Sequence, residues 1–230
     1  GAIAEPVAQR GQIYVGADLD TVGLSALVQR GFETHVVDLG SPADALRAHL
    51  STIIGERMLT SISLLDTLEH LTNGPAVLRI LHELASDTGA TLLVSVPNVT
   101  HRDVGRKLVT GRWDYTTTGI LDQTHVVHHT DDGLTTTAVG AGWTEVDRAD
   151  YRLTRSEQLF PADHIALLST SSLGAFLEHV ADTANPAASV YQFVRAYRPE
   201  TQPAGAHTHP LAVDAGDGHQ PPRCLVLLGA

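Results

Sequence analysis

Residues 59–97 read LTSISLLDTLEHLTNGPAVLRILHELASDTGATLLVSVP, and this stretch decides the fold class. Leu59–Leu65 is apolar on both faces, as a strand buried inside a parallel sheet is. Asn73 is placed to cap a helix whose first turn carries Pro75. Val77, Leu78, Ile80, Leu81 and Leu84 recur at helical spacing and form its buried stripe. Gly89 stops that helix, and Thr91–Val96 is a second two-faced apolar strand closed by Pro97. Two such strands joined by a helix in so short a span form a crossover unit with parallel strands.

The same alternation extends outward. On the amino side, Gln12–Val15 reads as a strand and Val22–Arg30 as a helix stopped by Gly31. Phe32–Leu39 reads as a strand around Asp38, and Ala43–Ile54 as a helix. On the carboxyl side, Asn98–Thr130 is a long polar stretch of the kind that carries function. Thr130 caps a weak helix ending near Gly140, Trp143–Ala149 is a strand, Ser172–Ala181 an amphipathic helix, and Val190–Tyr197 a last strand. The expected fold is α/β, a doubly wound, mainly parallel sheet. Its ligands bind beyond the carboxyl ends of the strands. The expected organisation is a domain over residues 1–198, a Pro/Gly/His-rich linker over 199–223, and an apolar segment over 224–230. That segment is either an extra strand or the start of a following domain.

Composition narrows the function. The 230 residues are 43% hydrophobic, enough for one sizeable core, and no apolar run is long enough for a membrane span. The net charge of −11 disfavours phosphate backbones, so no nucleic-acid partner is expected. Gly1–Gly11 lacks the basic start and apolar core of a secretory signal. The single cysteine, Cys224, allows no intrachain disulfide, and a cytoplasmic setting is expected.

The residues that follow each strand are the chemical candidates. Asp38 stands where an acid accepts hydrogen bonds from ribose hydroxyls, or else caps the turn at Gly40 and Ser41. Asp66, Glu69 and His70 are spaced i, i+3, i+4 and share one face of a helical turn, either to orient a ligand or as a solvated helix start. In the polar stretch, Trp113 and Tyr115 suit stacking on a substrate ring, and Asp122 is placed to orient His125 as a base. The plainer reading is a packed surface loop anchored by its aromatics. His125, His128 and His129 have zinc-like spacing on a helix. However, Val126 and Val127 favour an extended segment that points His125 and His128 apart, so no metal is expected.

The run SLLDTLEHLTNGPAVLRILHEL…GATLLVSVPN resembles class I S-adenosylmethionine-dependent methyltransferases, in which a strand ends in Asp-x-x-Glu-His and the next ends in Pro-Asn. The continuation HRDVGRKLVTGRWDYTTTGILDQTHVVHHT and the segment AASVYQFVRAYRP resemble a bacterial subgroup from polysaccharide and natural-product pathways, often found beside glycosyltransferase domains. The resemblance implies a Rossmann-like sheet of seven strands with the last antiparallel. It also implies S-adenosyl-L-methionine as cofactor. Gly16, Asp18, Asp38, Leu65 and Asp66 would then contact the cofactor, and His101, Asp122, His125, Trp113 and Tyr115 would face the acceptor. Two departures stand out. The family's glycine-rich loop is reduced in Val15–Gly23 to Gly16 and Gly23, with Asp18 and Asp20 between them. The interval from Asp38 to Leu59 is also too short for a further strand, so one edge strand is expected to be missing.

Two functions follow. One is methyl transfer to a small hydroxylated acceptor, a sugar or natural product, with His125 as base and Asp122 holding its tautomer. The other is a non-catalytic methyltransferase-like module that docks a glycosyltransferase domain or partner.

Overall fold

The computed structural model describes residues 1–159, 163–168, 170–200 and 223–228, the last six as backbone. The elements are α1 (Ala4–Gln9), β1 (Ile13–Asp18), α2 (Thr21–Gln29), β2 (Glu33–Val36), α3 (Ala43–Ile54), β3 (Leu59–Leu65), α4 (Gly74–Ser86), β4 (Thr91–Pro97), α5 (Arg102–Val109), α6 (Asp131–Val139), β5 (Trp143–Arg148), β6 (Tyr151–Arg152), α7 (Ser172–Ala184), β7 (Val190–Pro199) and β8 (Arg223–Leu228). A 3-10 turn covers Leu68–His70.

The sheet runs β2-β1-β8-β3-β4-β7-β5, with β6 paired to β7 outside this path. The pairs among β2, β1, β8, β3 and β4 are parallel, and β7 lies antiparallel to β4 and β5. The doubly wound α/β architecture with a late antiparallel strand is therefore present. The interval between Asp38 and Leu59 holds only α3, as its length required. The seven-position path is nevertheless full, because β8, from the far end of the sequence, takes an interior place. It pairs Tyr14 with Cys224 on one side and Ile62 with Leu225 on the other. β1 and β3 are separated by it.

The apolar strands do what their pattern requires. Ile62, Leu64, Leu92, Val94 and Val96 are fully buried, and α4 covers them with Val77, Leu78, Leu81 and Ala85. Each such side chain contributes roughly 1.5–3 kcal/mol by leaving water. Trp143 donates its indole N–H to the Leu78 carbonyl at 2.9 Å, tying β5 to α4. Thr130 caps α6 as expected, accepting from the Gly133 amide. Asn73 precedes α4 without capping it, because its side chain donates to the Leu39 carbonyl instead. Two helices lie where none was expected, α1 within Gly1–Gly11 and α5 within the polar stretch after Asn98. Residues 201–222, most of the expected linker, lie outside the described residues.

Topology fixes where a ligand fits. From the centre of the sheet the chain winds outward through β1, α2 and β2 on one side and through β3, α4 and β4 on the other. The carboxyl end of β8 lies between these halves, where a doubly wound sheet opens its crevice.

Candidate functional site

A cavity of about 220 Å³ opens at this edge, lined among others by Leu19, Asp38, Gly40, Thr67, His70 and Asn73. On its β1–β2 side, Asp38 accepts from the Gly40 amide at 2.7 Å, so it closes a turn and also borders the cavity. Asp18 ends β1, almost buried at 7% exposure, and accepts from the Asp20 amide. Burial raises its pKa, and the amides of Asp20 and Leu19 oppose that rise. Asp20 caps α2 through the amides of Val22 and Gly23. Gly16 belongs to no loop. It pairs with Thr34 and Val226 inside the sheet, and a Cβ there would stand 2.9 Å from Leu27. Its smallness serves strand–helix packing, which corrects its expected place in a cofactor loop.

On the other side of β8, Leu65 ends β3 and Asp66 follows in a left-handed conformation, φ 52°. Asp66 is held by the Ser95 hydroxyl and by Gln192, while its amide donates to Ser95. The reversal at Asp66 starts the turn of Leu68–His70. Glu69 is 1% exposed, and neither of its carboxyl oxygens has a hydrogen-bond partner among the described residues. Burial pushes its pKa to about 8; its own amide lowers it, and nearby Asp66 adds to the rise. The Glu69 carbonyl accepts from the amides of Val126 and Val127, drawing the segment after Asp122 over the end of β3.

That clamp brings His125 beside His70, with ring centroids 4.9 Å apart. A ligating atom from each of Glu69, His70 and His125 lies within 4.8 Å of the others. His125 makes its Nδ1 hydrogen bond with the Ile120 carbonyl at 3.1 Å, and His70 makes its own with the Thr124 carbonyl at 3.2 Å. Because a carbonyl only accepts, both Nδ1 atoms donate, and in a neutral ring so held the lone pair lies on Nε2. Burial lowers the His125 pKa; the Ile120 carbonyl opposes this, and His70 adds to it. Asp122 does not orient His125, since its Oδ1 accepts from the amide and hydroxyl of Thr124. Thr124 stands only two residues on, and an aspartate closes that local turn before it reaches a side chain three residues away.

The rings of Tyr115, Trp113, His128, His125 and His70 follow one another with centroid separations of 6.3, 5.2, 6.5 and 4.9 Å. Trp113 and Tyr115 therefore lie on the open side of the histidine pair, half-exposed at 36% and 58%. His101 does not join them. It is fully buried at the start of α5, bonded through Nε2 to the Leu153 carbonyl and through Nδ1 to the Asp103 amide. Both its ring nitrogens are used, which corrects its expected role facing an acceptor. The structure adds Glu69, His70 and the end of β8 to the expected set. The i, i+3, i+4 spacing signalled the first two, and nothing local in the sequence signalled the third.

No protein-family model matches this chain. No curated protein matches it either. Among solved structures, a SAM-dependent methyltransferase from Archaeoglobus fulgidus aligns over 86% of this chain and 91% of its own at 12% identity, with a TM-score of 0.47. The [4+2]-cyclase SpnF aligns over 87% and 79% at 12% identity and a TM-score of 0.45. Magnesium protoporphyrin IX methyltransferase from Synechocystis, with bound SAH, aligns over 86% and 81% at 10% identity and a TM-score of 0.41. The strand order and directions define the chain as a doubly wound, Rossmann-like α/β protein.

Proposed function

We propose that the crevice at the end of β8 binds S-adenosyl-L-methionine and that the chain transfers its methyl group to a small hydroxylated acceptor, a sugar or natural product. The observation that carries this reading is the position of β8, whose carboxyl end lies between β1 and β3, beside a cavity bordered by Leu19 after β1, Asp38 after β2 and the Thr67–Asn73 turn after β3. The methyltransferase-like motif over residues 59–130 supplies that second wall. Read this way, the altered loop after β1 loses its importance, because β1 is not the crevice strand.

The same shift reassigns the ribose contact. Asp18 ends the strand next to β8, whereas Asp38 lies one strand further out, about 5 Å away in the sheet direction. Asp18 takes the ribose hydroxyls, and Asp38 borders the nucleobase side. Leu65 and Asp66 line the methionine side, and Trp113 and Tyr115 hold the acceptor.

In the reaction the acceptor oxygen attacks the methyl carbon, the carbon–sulfur bond breaks, and S-adenosylhomocysteine leaves. The acceptor proton passes to His125 Nε2, whose lone pair is set by the Nδ1 bond to Ile120. Alignment supplies most of the rate, and base assistance roughly 10²–10⁴-fold. The test is transfer of labelled methyl from S-adenosylmethionine to a panel of sugars and hydroxylated natural products. Methylation lost in His125→Asn with cofactor affinity kept supports the reading. No transfer to any acceptor, with the cofactor unbound, favours the docking-module alternative for a glycosyltransferase partner.

A further inference from the structure

We propose that Glu69, His70 and His125 form a binding site for a divalent first-row transition-metal ion with open coordination positions facing the aromatic wall. This does not rest on methyl transfer and is testable without any cofactor. Three independent observations converge on it. The ligating atoms of the three residues already lie within 4.8 Å of one another, so shifts of about an ångström bring each to ~2.1 Å from a common centre. Glu69 is 1% exposed with both oxygens lacking a partner among the described residues. A buried carboxylate left so is costly unless something binds it.

The third observation is the outer shell. Metal-binding histidines usually donate the second ring nitrogen to a carbonyl or carboxylate, which fixes the tautomer and aims the free nitrogen. Here both histidines do so, His70 toward Thr124 and His125 toward Ile120. The two backbone bonds from Val126 and Val127 to the Glu69 carbonyl hold the segment bearing His125 against the turn bearing the other two ligands. Two imidazoles and one carboxylate suit zinc, manganese, iron(II) or cobalt better than magnesium or calcium, which favour all-oxygen sites.

With an ion bound, His125 would serve as a ligand, so the base role proposed for its Nε2 belongs to the metal-free chain. His128 lies one ring further along the wall and outside the cluster, and its ring packs on Trp113.

The test uses tag-free, chelator-stripped chain titrated with Co²⁺, Mn²⁺ and Zn²⁺, followed by calorimetry and, for cobalt, by visible absorption. About one ion per chain is expected, together with a rise in Tm. Glu69→Gln keeps the buried shape and should weaken binding by at least the ~100-fold that loss of an outer-shell partner can cause. His70→Ala and His125→Asn should do the same with unchanged circular dichroism. His207, His209 and His219 offer a competing source of affinity, so a variant with all three changed to alanine is titrated in parallel and should bind like the parent. Equal affinity in Glu69→Gln and parent would overturn the proposal, as would loss of the ion in the triple-histidine variant or no uptake at all.

Discussion

Two groups of histidine and acid stand at the carboxyl edge of the sheet, and they have opposite bonding. At the start of α5, His101 uses both ring nitrogens, and Asp103 accepts from the Ser156 amide at 2.7 Å and its hydroxyl at 3.0 Å. At the end of β3, His70 and His125 each use one nitrogen, and Glu69 uses neither oxygen among the described residues. Similar residue types, at similar places in the fold, thus serve different ends. A buried polar group with every valence filled is part of the scaffold. One with valences left open holds stability in reserve for a ligand.

The largest expected effect breaks the closed group. Asp103→Ala leaves the Ser156 amide and hydroxyl without the acceptor that the fully buried Asp103 carboxylate gives them, and should cost about 2–4 kcal/mol in denaturant unfolding. His125→Asn, in the open group, should cost under about 1 kcal/mol. Equal losses would erase the distinction drawn between the groups. Next in size is the cofactor contact. Asp18→Asn should weaken S-adenosylmethionine by about 1.5–3 kcal/mol and Asp38→Ala by clearly less, read by calorimetry. The reverse order would return the ribose role to Asp38.

A smaller effect concerns pH. Burial lowers the His129 pKa to about 4, the Leu68 carbonyl opposes this, and His128 and His125 add to it. The ring is neutral when folded and takes up a proton when unfolded below its ordinary 6.5. The chelator-treated chain should therefore lose stability between pH 6.5 and 4, by on the order of 2 kcal/mol, with no contribution above 6.5. His129→Asn should flatten that slope, and an unchanged slope would assign it to other groups. The smallest expected effect comes from rearranging the chain so that residues 200–230 precede residue 1. Because β8 lies beside β1, this should leave Tm and cofactor affinity nearly as they were. Loss of folding in that arrangement would contradict the crevice reading.

The sequence made the two-faced strands Leu59–Leu65 and Thr91–Pro97 and their helix plain, because burial on both sides leaves a continuous apolar run. It also marked the last strand, which lies antiparallel to β4 and β5. It could not reveal the neighbours of β8. Strand order is a long-range property, and Cys224–Leu228 looks the same at an edge as in the centre. That one placement misdirected the glycine argument toward Gly16. The choice of Asp122 as partner of His125 failed for a local reason, the stronger claim of Thr124 on its carboxylate. His101 was misread because only the fold shows that Leu153 and Asp103 satisfy it.

The most direct test of the central claim is a calorimetric titration of S-adenosylmethionine into the metal-free chain. One saturable site is expected, competed by S-adenosylhomocysteine and weakened in Asp18→Asn. No binding heat, or binding indifferent to Asp18 and Asp38 alike, would contradict a cofactor crevice at the end of β8.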